Sequence, residues 1–188
     1  MAAGKKWRKF CGWTLKTLGW TAMDPPCEHK KSIILGVPHT TIWDLVISYL
    51  YYTSVGGDAK VMVKDSVFVW PLTPILNFMG AIPMDRTSPT RMLLSTIHAM
   101  NNSETFHLAM CPEGTRKATK KWKTGYHTIA KKTGATVYIG YFDWGTKRIG
   151  RGEPVELTDD ARADTDRIQQ IYESMHLVGK NKDCYVTH

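Results

Sequence analysis

The sequence predicts an α/β fold: a single domain with a largely parallel central sheet flanked by helices, preceded by an N-terminal amphipathic helix. Three observations predict it. From residue 32 onward, short β-branched runs alternate with stretches of helical periodicity, the pattern of a parallel sheet with helices on its faces. The 188 residues suffice for one domain with a sizeable core and are short for two. Hydrophobic residues make up 43% and charged residues 22%, ordinary globular proportions that exclude a disordered or polytopic membrane chain. The organisation expected is an amphipathic unit over residues 1–24 and a folded domain over 30–188.

Residues 5–20 read as a helix, with Trp7, Phe10, Cys11, Thr14, Leu15 and Leu18 at three- and four-residue spacing and Lys5, Arg8, Lys9 and Lys16 on the other side. Trp13 and Trp20 point to the basic flank. Two readings stay open: an interfacial helix that meets a membrane through Trp7, Phe10, Trp13, Leu15, Leu18 and Trp20, or a terminal helix docked on the chain's own core. Asp24-Pro25-Pro26 ends this unit. A strand is predicted over 32–37, a turn at Pro38-His39-Thr40-Thr41, and a helix over 44–52. After the Gly56-Gly57 turn come a strand over 60–64, a proline-broken helical stretch over 68–79 and a strand over 81–84. Ser88 as N-cap with Pro89 at the first position opens a helix to residue 101. A strand over 106–111 leads into the turn Pro112-Glu113-Gly114-Thr115, and a helix over 124–133 is closed by Gly134. A strand over 136–142, an edge strand within 148–155 and a closing helix over 161–176 complete the reading. His39, Arg86 and Glu113 each fall just after a predicted strand, where ligands of parallel sheets collect.

The 25 Lys and Arg against 17 Asp and Glu give a net charge of +8, which favours an anionic partner without choosing among lipid, phosphorylated substrate, acidic carrier protein and nucleic acid. Cys11, Cys27, Cys111 and Cys184 form no C-x-x-C pair and have no histidine at zinc-finger spacing, so no metal is expected and free thiols in a reducing cytoplasm are. No run reaches the roughly eighteen apolar residues of a membrane span. Lys16 interrupts the N-terminal apolar run and no small-x-small site follows, so a retained N-terminus is expected.

His39 and Asp44 form an H-x-x-x-x-D spacing. Alone it is weak: seven histidines and eleven aspartates in a chain of this length give about 0.4 such pairs by chance. A lone histidine there reads as a hydrogen-bonded structural imidazole, Arg86 as an ion pair with Asp85, and Glu113 as a turn cap. The company changes the reading. G-A-I-P-M-D-R follows at 80–86 and C-P-E-G-T-R at 111–116, with W-K-T-G-Y-H-T-I-A at 122–130.

These blocks, in this order, resemble the 1-acylglycerol-3-phosphate O-acyltransferase (PlsC-like) family of glycerolipid acyltransferases over roughly residues 39–142. The resemblance implies that residues 30–188 form an acyltransferase domain that moves an acyl group from acyl-ACP or acyl-CoA, with no cofactor, to the hydroxyl of a lysolipid in phospholipid biosynthesis. His39 looks like the general base and Asp44 its partner. Arg86 looks like a phosphate contact, and Glu113, Gly114, Thr115 and Arg116 like the acceptor-binding turn. The family default acceptor is 1-acyl-sn-glycerol-3-phosphate; another lysolipid, such as a lyso-aminolipid, is the alternative. The implied setting is the cytoplasmic face of the inner membrane, with an anionic membrane surface and an acyl carrier protein or CoA thioester as partners. One block departs from the family: its fourth usually carries a V-P-V or I-P-V proline, and here the strand reads Thr136-Val137-Tyr138-Ile139-Gly140.

The chemistry suits these residue types. A thioester is already activated, so the main task is to take a proton from an attacking alcohol, work suited to an imidazole whose tautomer a carboxylate holds. Backbone N–H groups near the helix after His39 are the expected donors to the oxyanion. Arginine suits a phosphate because its planar fork donates paired hydrogen bonds. Lys117, Lys120, Lys121 and Lys123 around Trp122 read either as a solvated face or as a docking surface for donor or membrane. Cys111 reads as a core thiol. A nucleic-acid-binding module would explain the charge but leave His39, Asp44 and the E-G-T-R turn without a task, so no nucleic-acid partner is expected. A hydrolase of the G-x-S-x-G kind lacks its elbow here.

Overall fold

The N-terminal helix α1, Lys5–Thr17, buries Cys11 and Leu15, one turn apart, and carries Lys16 in its last turn, where a cation suits the helix dipole. It ends three residues earlier than the periodicity suggests. Gly19 takes the left-handed conformation, its N–H donates to Lys16 O, and Trp20 N–H donates to Leu15 O, a Schellman closure with Trp20 and Leu15 packed together inside. The computed structural model of the chain describes residues 3–84 and 88–184.

The remaining elements follow in chain order. They are β1 Thr21–Ala22, β2 Lys31–Leu35, α2 Trp43–Ser54, β3 Ala59–Lys64, a short 3-10 turn, α3 Leu72–Phe78 and β4 Ala81–Met84. Then come α4 Pro89–Asn101, β5 Phe106–Met110, α5 Gly125–Thr133, β6 Thr136–Tyr138, β7 Tyr141–Asp143, β8 Arg148–Gly150, β9 Pro154–Val155 and α6 Ala161–Ser174. The main sheet runs β4-β3-β5-β2-β6-β9 and is parallel except for β9, which is antiparallel to β6. From β2 the chain crosses through α2 toward the β4 edge; from β5 it crosses through α5 the other way, to β6. Neighbouring strands β2 and β5 therefore send their crossovers to opposite faces, the topology at which parallel sheets place their ligands beyond the carboxyl ends of the strands.

Two cores cover the two faces. Ile33, Leu35 and Val137 meet α4, α5 and α6 through Met100, Ile129 and Ile168, whereas Ile34, Tyr138 and Phe142 meet α1 and α2 through Leu15, Ile47 and Leu50. Alternate residues of β2 thus serve opposite faces, as the two-residue strand period requires.

Two predicted strands divide. The stretch over 136–142 becomes β6 and β7 because Gly140 lies so close to β2 that a Cβ there would strike Ile34 Cγ2 and Leu35 O, and Tyr172 Oη donates to both Leu35 O and Gly140 O. β7 then leaves for a second, three-stranded sheet, β1-β8-β7, joined to the first by a bridge between Val37 and Tyr141. The stretch over 148–155 becomes β8 in that sheet and β9 in the main one, divided by Gly152 in the left-handed conformation. Asp160 caps α6 by accepting from Arg162 N and Ala163 N. Ser88 precedes α4 without a side-chain capping bond.

Candidate active site

His39 lies in the loop between β2 and α2, and Asp44 is the second residue of α2, where the helix dipole favours a carboxylate. The i to i+5 spacing brings the imidazole back over the start of that helix, with Nδ1 3.4 Å from Asp44 Oδ2. That separation is within ion-pair reach and longer than a well-formed hydrogen bond, as is common in catalytic pairs without substrate. The two differ in access: the His39 side chain is 25% exposed and that of Asp44 2%. Asp44 is held from all sides. Its Oδ2 accepts from Thr40 N and Thr41 N, both at 2.7 Å, and its Oδ1 from Thr41 Oγ1 at 3.2 Å and Trp144 Nε1 at 2.9 Å. The Thr40 and Thr41 N–H groups are thereby committed to the carboxylate, which removes them from the expected oxyanion donors.

Glu113, from the loop after β5, turns inward. Its Oε2 accepts from His39 N at 2.7 Å, so the loops after β2 and β5 are tied together at the histidine itself. Burial pushes its carboxyl up to about 8, the His39 N–H opposes that rise, and the negative charge of Asp44 adds to it. At neutral pH Glu113 is therefore mainly a neutral acid with a proton to donate. Gly114 takes a left-handed conformation, its N–H donates to Cys111 O, and its α-carbon faces the stem of Lys123, whose N–H donates to Pro112 O. Thr115 Oγ1 accepts from Lys117 N. Arg116, Lys117, Lys120, Lys121 and Lys123 are exposed around this turn, whereas Trp122 among them is buried against Tyr172. Burial raises the Cys111 thiol well above its ordinary range, which unsuits it as a nucleophile. Arg86 lies outside the described residues.

Sequence reasoning missed Trp144. It stands 100 positions from Asp44, on the turn after β7, and nothing in the intervening residues marks the pairing. Its N–H donates to Val178 O, its ring meets Trp20 edge-on at 4.9 Å, and the ammonium groups of Lys147 and Lys180 stand over it at 4.6 and 4.7 Å. The segment after α6 also supports the loop: Asn181 N donates to Thr40 Oγ1, and Gly179 packs on the Thr40 methyl.

A second histidine–aspartate pair shows what a structural one looks like. His127 and Asp164 are 3.2 Å apart, but both are buried, His127 Nε2 also faces Thr158 O, and Asp164 also accepts from Arg167. That imidazole is only 6% exposed, against 25% for His39. Among the described residues no group of three or more His, Cys, Asp or Glu side chains is placed to hold a metal ion.

The residues expected at a membrane separate by environment. Phe10, Trp13 and Leu18 are exposed; Trp7 is half-buried and donates from Nε1 to Tyr49 Oη; Leu15 and Trp20 are buried, Trp20 lying beyond the helix end. Helix α1 thus docks on the core through one face and leaves aromatic rings on the other. Among the described residues no helix is long and apolar enough to cross a membrane.

The family model described as Acyltransferase matches residues 22–139. The chain belongs to the acyltransferase family. The match takes in His39, Asp44, Arg86, Glu113 and Arg116, while Trp144, Lys147 and the segment after α6 lie beyond it. The acyltransferase shares its fold with the crystal structure of the 1-acyl-sn-glycerophosphate (LPA) acyltransferase PlsC from Thermotoga maritima, with a TM-score of 0.62 at 17% identity, over 94% of this chain and 81% of that one. No curated protein matches the sequence.

Proposed function

We propose that this acyltransferase moves a fatty acyl group from acyl-ACP or acyl-CoA to the hydroxyl of a lysolipid, 1-acyl-sn-glycerol-3-phosphate in the first instance, in phospholipid biosynthesis at the cytoplasmic face of a membrane. The observation that carries this reading is the partly exposed His39 imidazole, its Nδ1 3.4 Å from the buried and hydrogen-bonded Asp44 carboxylate, beyond the carboxyl ends of β2 and β5. His39 Nε2 takes the proton of the lysolipid hydroxyl as its oxygen attacks the thioester carbonyl. Asp44 holds the Nδ1 tautomer and offsets the imidazolium charge as it forms. Collapse of the tetrahedral intermediate expels the thiolate, which takes the proton from His39. Arg116 stands exposed in the loop after β5 to receive the acceptor phosphate, and α1 holds the protein on the bilayer through Phe10 and Trp13.

The purified protein, given mixed lysolipids with each acyl carrier, is expected to yield a diacyl product by mass spectrometry, with phosphatidic acid dominant. His39→Ala and Asp44→Ala each lower turnover by about 10³-fold or more with circular dichroism unchanged. Turnover retained in both variants, or free fatty acid released regardless of acceptor, would overturn the reading.

A further inference from the structure

Soluble proteins rarely leave a large continuous apolar patch uncovered. Among the described residues, eight of the twelve exposed large apolar side chains gather on two neighbouring segments, the others being Met23, Ile42, Trp43 and Leu94. On α1 and its C-terminal cap they are Phe10, Trp13 and Leu18; over residues 69–78 they are Val69, Trp70, Leu72, Ile75 and Phe78, with Trp70 87% exposed. Ring contacts join the two groups: Trp7 stacks on Phe10 at 5.2 Å and meets Phe78 edge-on at 5.3 Å, and Phe10 leans on Trp13 at 6.1 Å. Helix α3 is seven residues long and buries only Leu76. So short a helix with one buried side chain gains little from the core and leaves most of its apolar surface without cover.

Charge indicates the cover. Lys5, Lys6 and Lys9 are exposed on α1, and exposed Lys60 lies beside Gly80 at the end of α3. Of the nearby acids, Asp58 is paired with Arg8 at 2.7 Å and exposed Asp65 accepts from Ser66 N. A second copy of a chain with net charge +8 would bring like charges together across this face, whereas anionic lipid is its complement.

We propose that residues 69–78 form a second lipid-inserting element, seated with α1 in the headgroup boundary of an anionic bilayer leaflet. This deepens the membrane reading above and rests on it. Because α3 follows the carboxyl end of β3, which runs parallel to β5, Val69 and Trp70 lie at the end of the sheet where the His39 and Glu113 loops emerge.

The test uses the full chain and vesicles of phosphatidylcholine containing phosphatidylglycerol, with no acyl donor present. The pair Trp70→Ser with Ile75→Ser is expected to weaken partitioning about tenfold, while Leu94→Ser, an exposed leucine on α4, leaves it unchanged. Brominated acyl chains should quench tryptophan fluorescence in the wild type and less in Trp70→Phe. Partitioning equal to wild type in the pair, with loss confined to Phe10→Ser and Trp13→Ser, would overturn the proposal. So would a lipid-independent dimer in sedimentation velocity that the pair dissociates, since a second copy would then cover the face. Turnover of a short-chain, water-soluble lysolipid separates this idea from the enzymatic one: loss of partitioning with turnover retained supports the second lipid element, and absence of turnover in the wild type sinks the enzymatic reading alone.

Discussion

Among the described residues Asp44 accepts four hydrogen bonds, and three of them come from its own loop at Thr40 and Thr41. The fourth, from Trp144 Nε1, comes from far along the chain, and it fixes the oxygen that does not face His39. Trp144→Phe keeps most of the ring and deletes that donor; kcat is expected to fall about tenfold with both KM values unchanged, because a buried carboxylate loses one charge-assisted hydrogen bond. Steady-state kinetics beside a melting curve check this, and a lowered Tm with kcat intact would assign Trp144 to packing alone. Glu113 gives a prediction of stability against pH. Its carboxyl is raised from an ordinary 4.5 to about 8, so between those values the unfolded chain releases a proton that the folded chain keeps. Stability therefore falls as pH rises through that window and levels off above it, by at most about 5 kcal/mol. Glu113→Gln removes this loss: denaturant titrations should find the variant close to wild type near pH 4.5 and more stable at pH 9. The junction of the loops after β2 and β5 is thus held partly by a carboxyl that must stay protonated to be comfortable there.

At the scale of elements, legibility in the sequence follows the range of the interaction. Helices set by local rules were readable: Gly134 ends α5 in the left-handed conformation at its expected place, and α4 opens on Pro89. Gly19 followed the same rule, but the periodicity of Leu15 and Leu18 carried the expected helix past it. The division of 136–142 was not readable, because it depends on the approach of Gly140 to Leu35 and on Tyr172, both distant in sequence. The same holds within the site. His39, Asp44 and the E-G-T-R turn were visible as local spacings, whereas Trp144 and the Thr40 support from Asn181 arise from contacts between residues 100 and 141 positions apart. Helix α6 carries a local device that can be measured. Asp160→Ala removes the acceptor for Arg162 N and Ala163 N, at a cost of about 1 kcal/mol and a fall in Tm of about 2–4 °C, read by calorimetry with acyl transfer preserved.

Over the whole molecule, the parallel sheet positions the candidate site by topology: the crossings from β2 and β5 run in opposite directions, and the His39–Glu113 hydrogen bond ties their two loops together. The net charge of +8 adds a long-range term that reaches about a Debye length from the surface. Binding to anionic vesicles is therefore expected to weaken severalfold when salt rises from roughly 0.05 to 0.3 M, and to persist in part through Phe10 and Trp13. Co-sedimentation across a salt series checks this; an affinity indifferent to salt would assign attachment to apolar contact alone.

The Schellman closure of α1 has a further bearing on how this protein tolerates shortening. Through it, Trp20 rests edge-on against the same indole that donates to the Asp44 carboxylate. Shaving off the leading twenty residues would loosen that indole as well as remove the exposed Phe10 and Trp13 rings, so lost turnover in such a trimmed enzyme would mix two injuries, whereas point changes at Phe10 and Trp13 inflict only one.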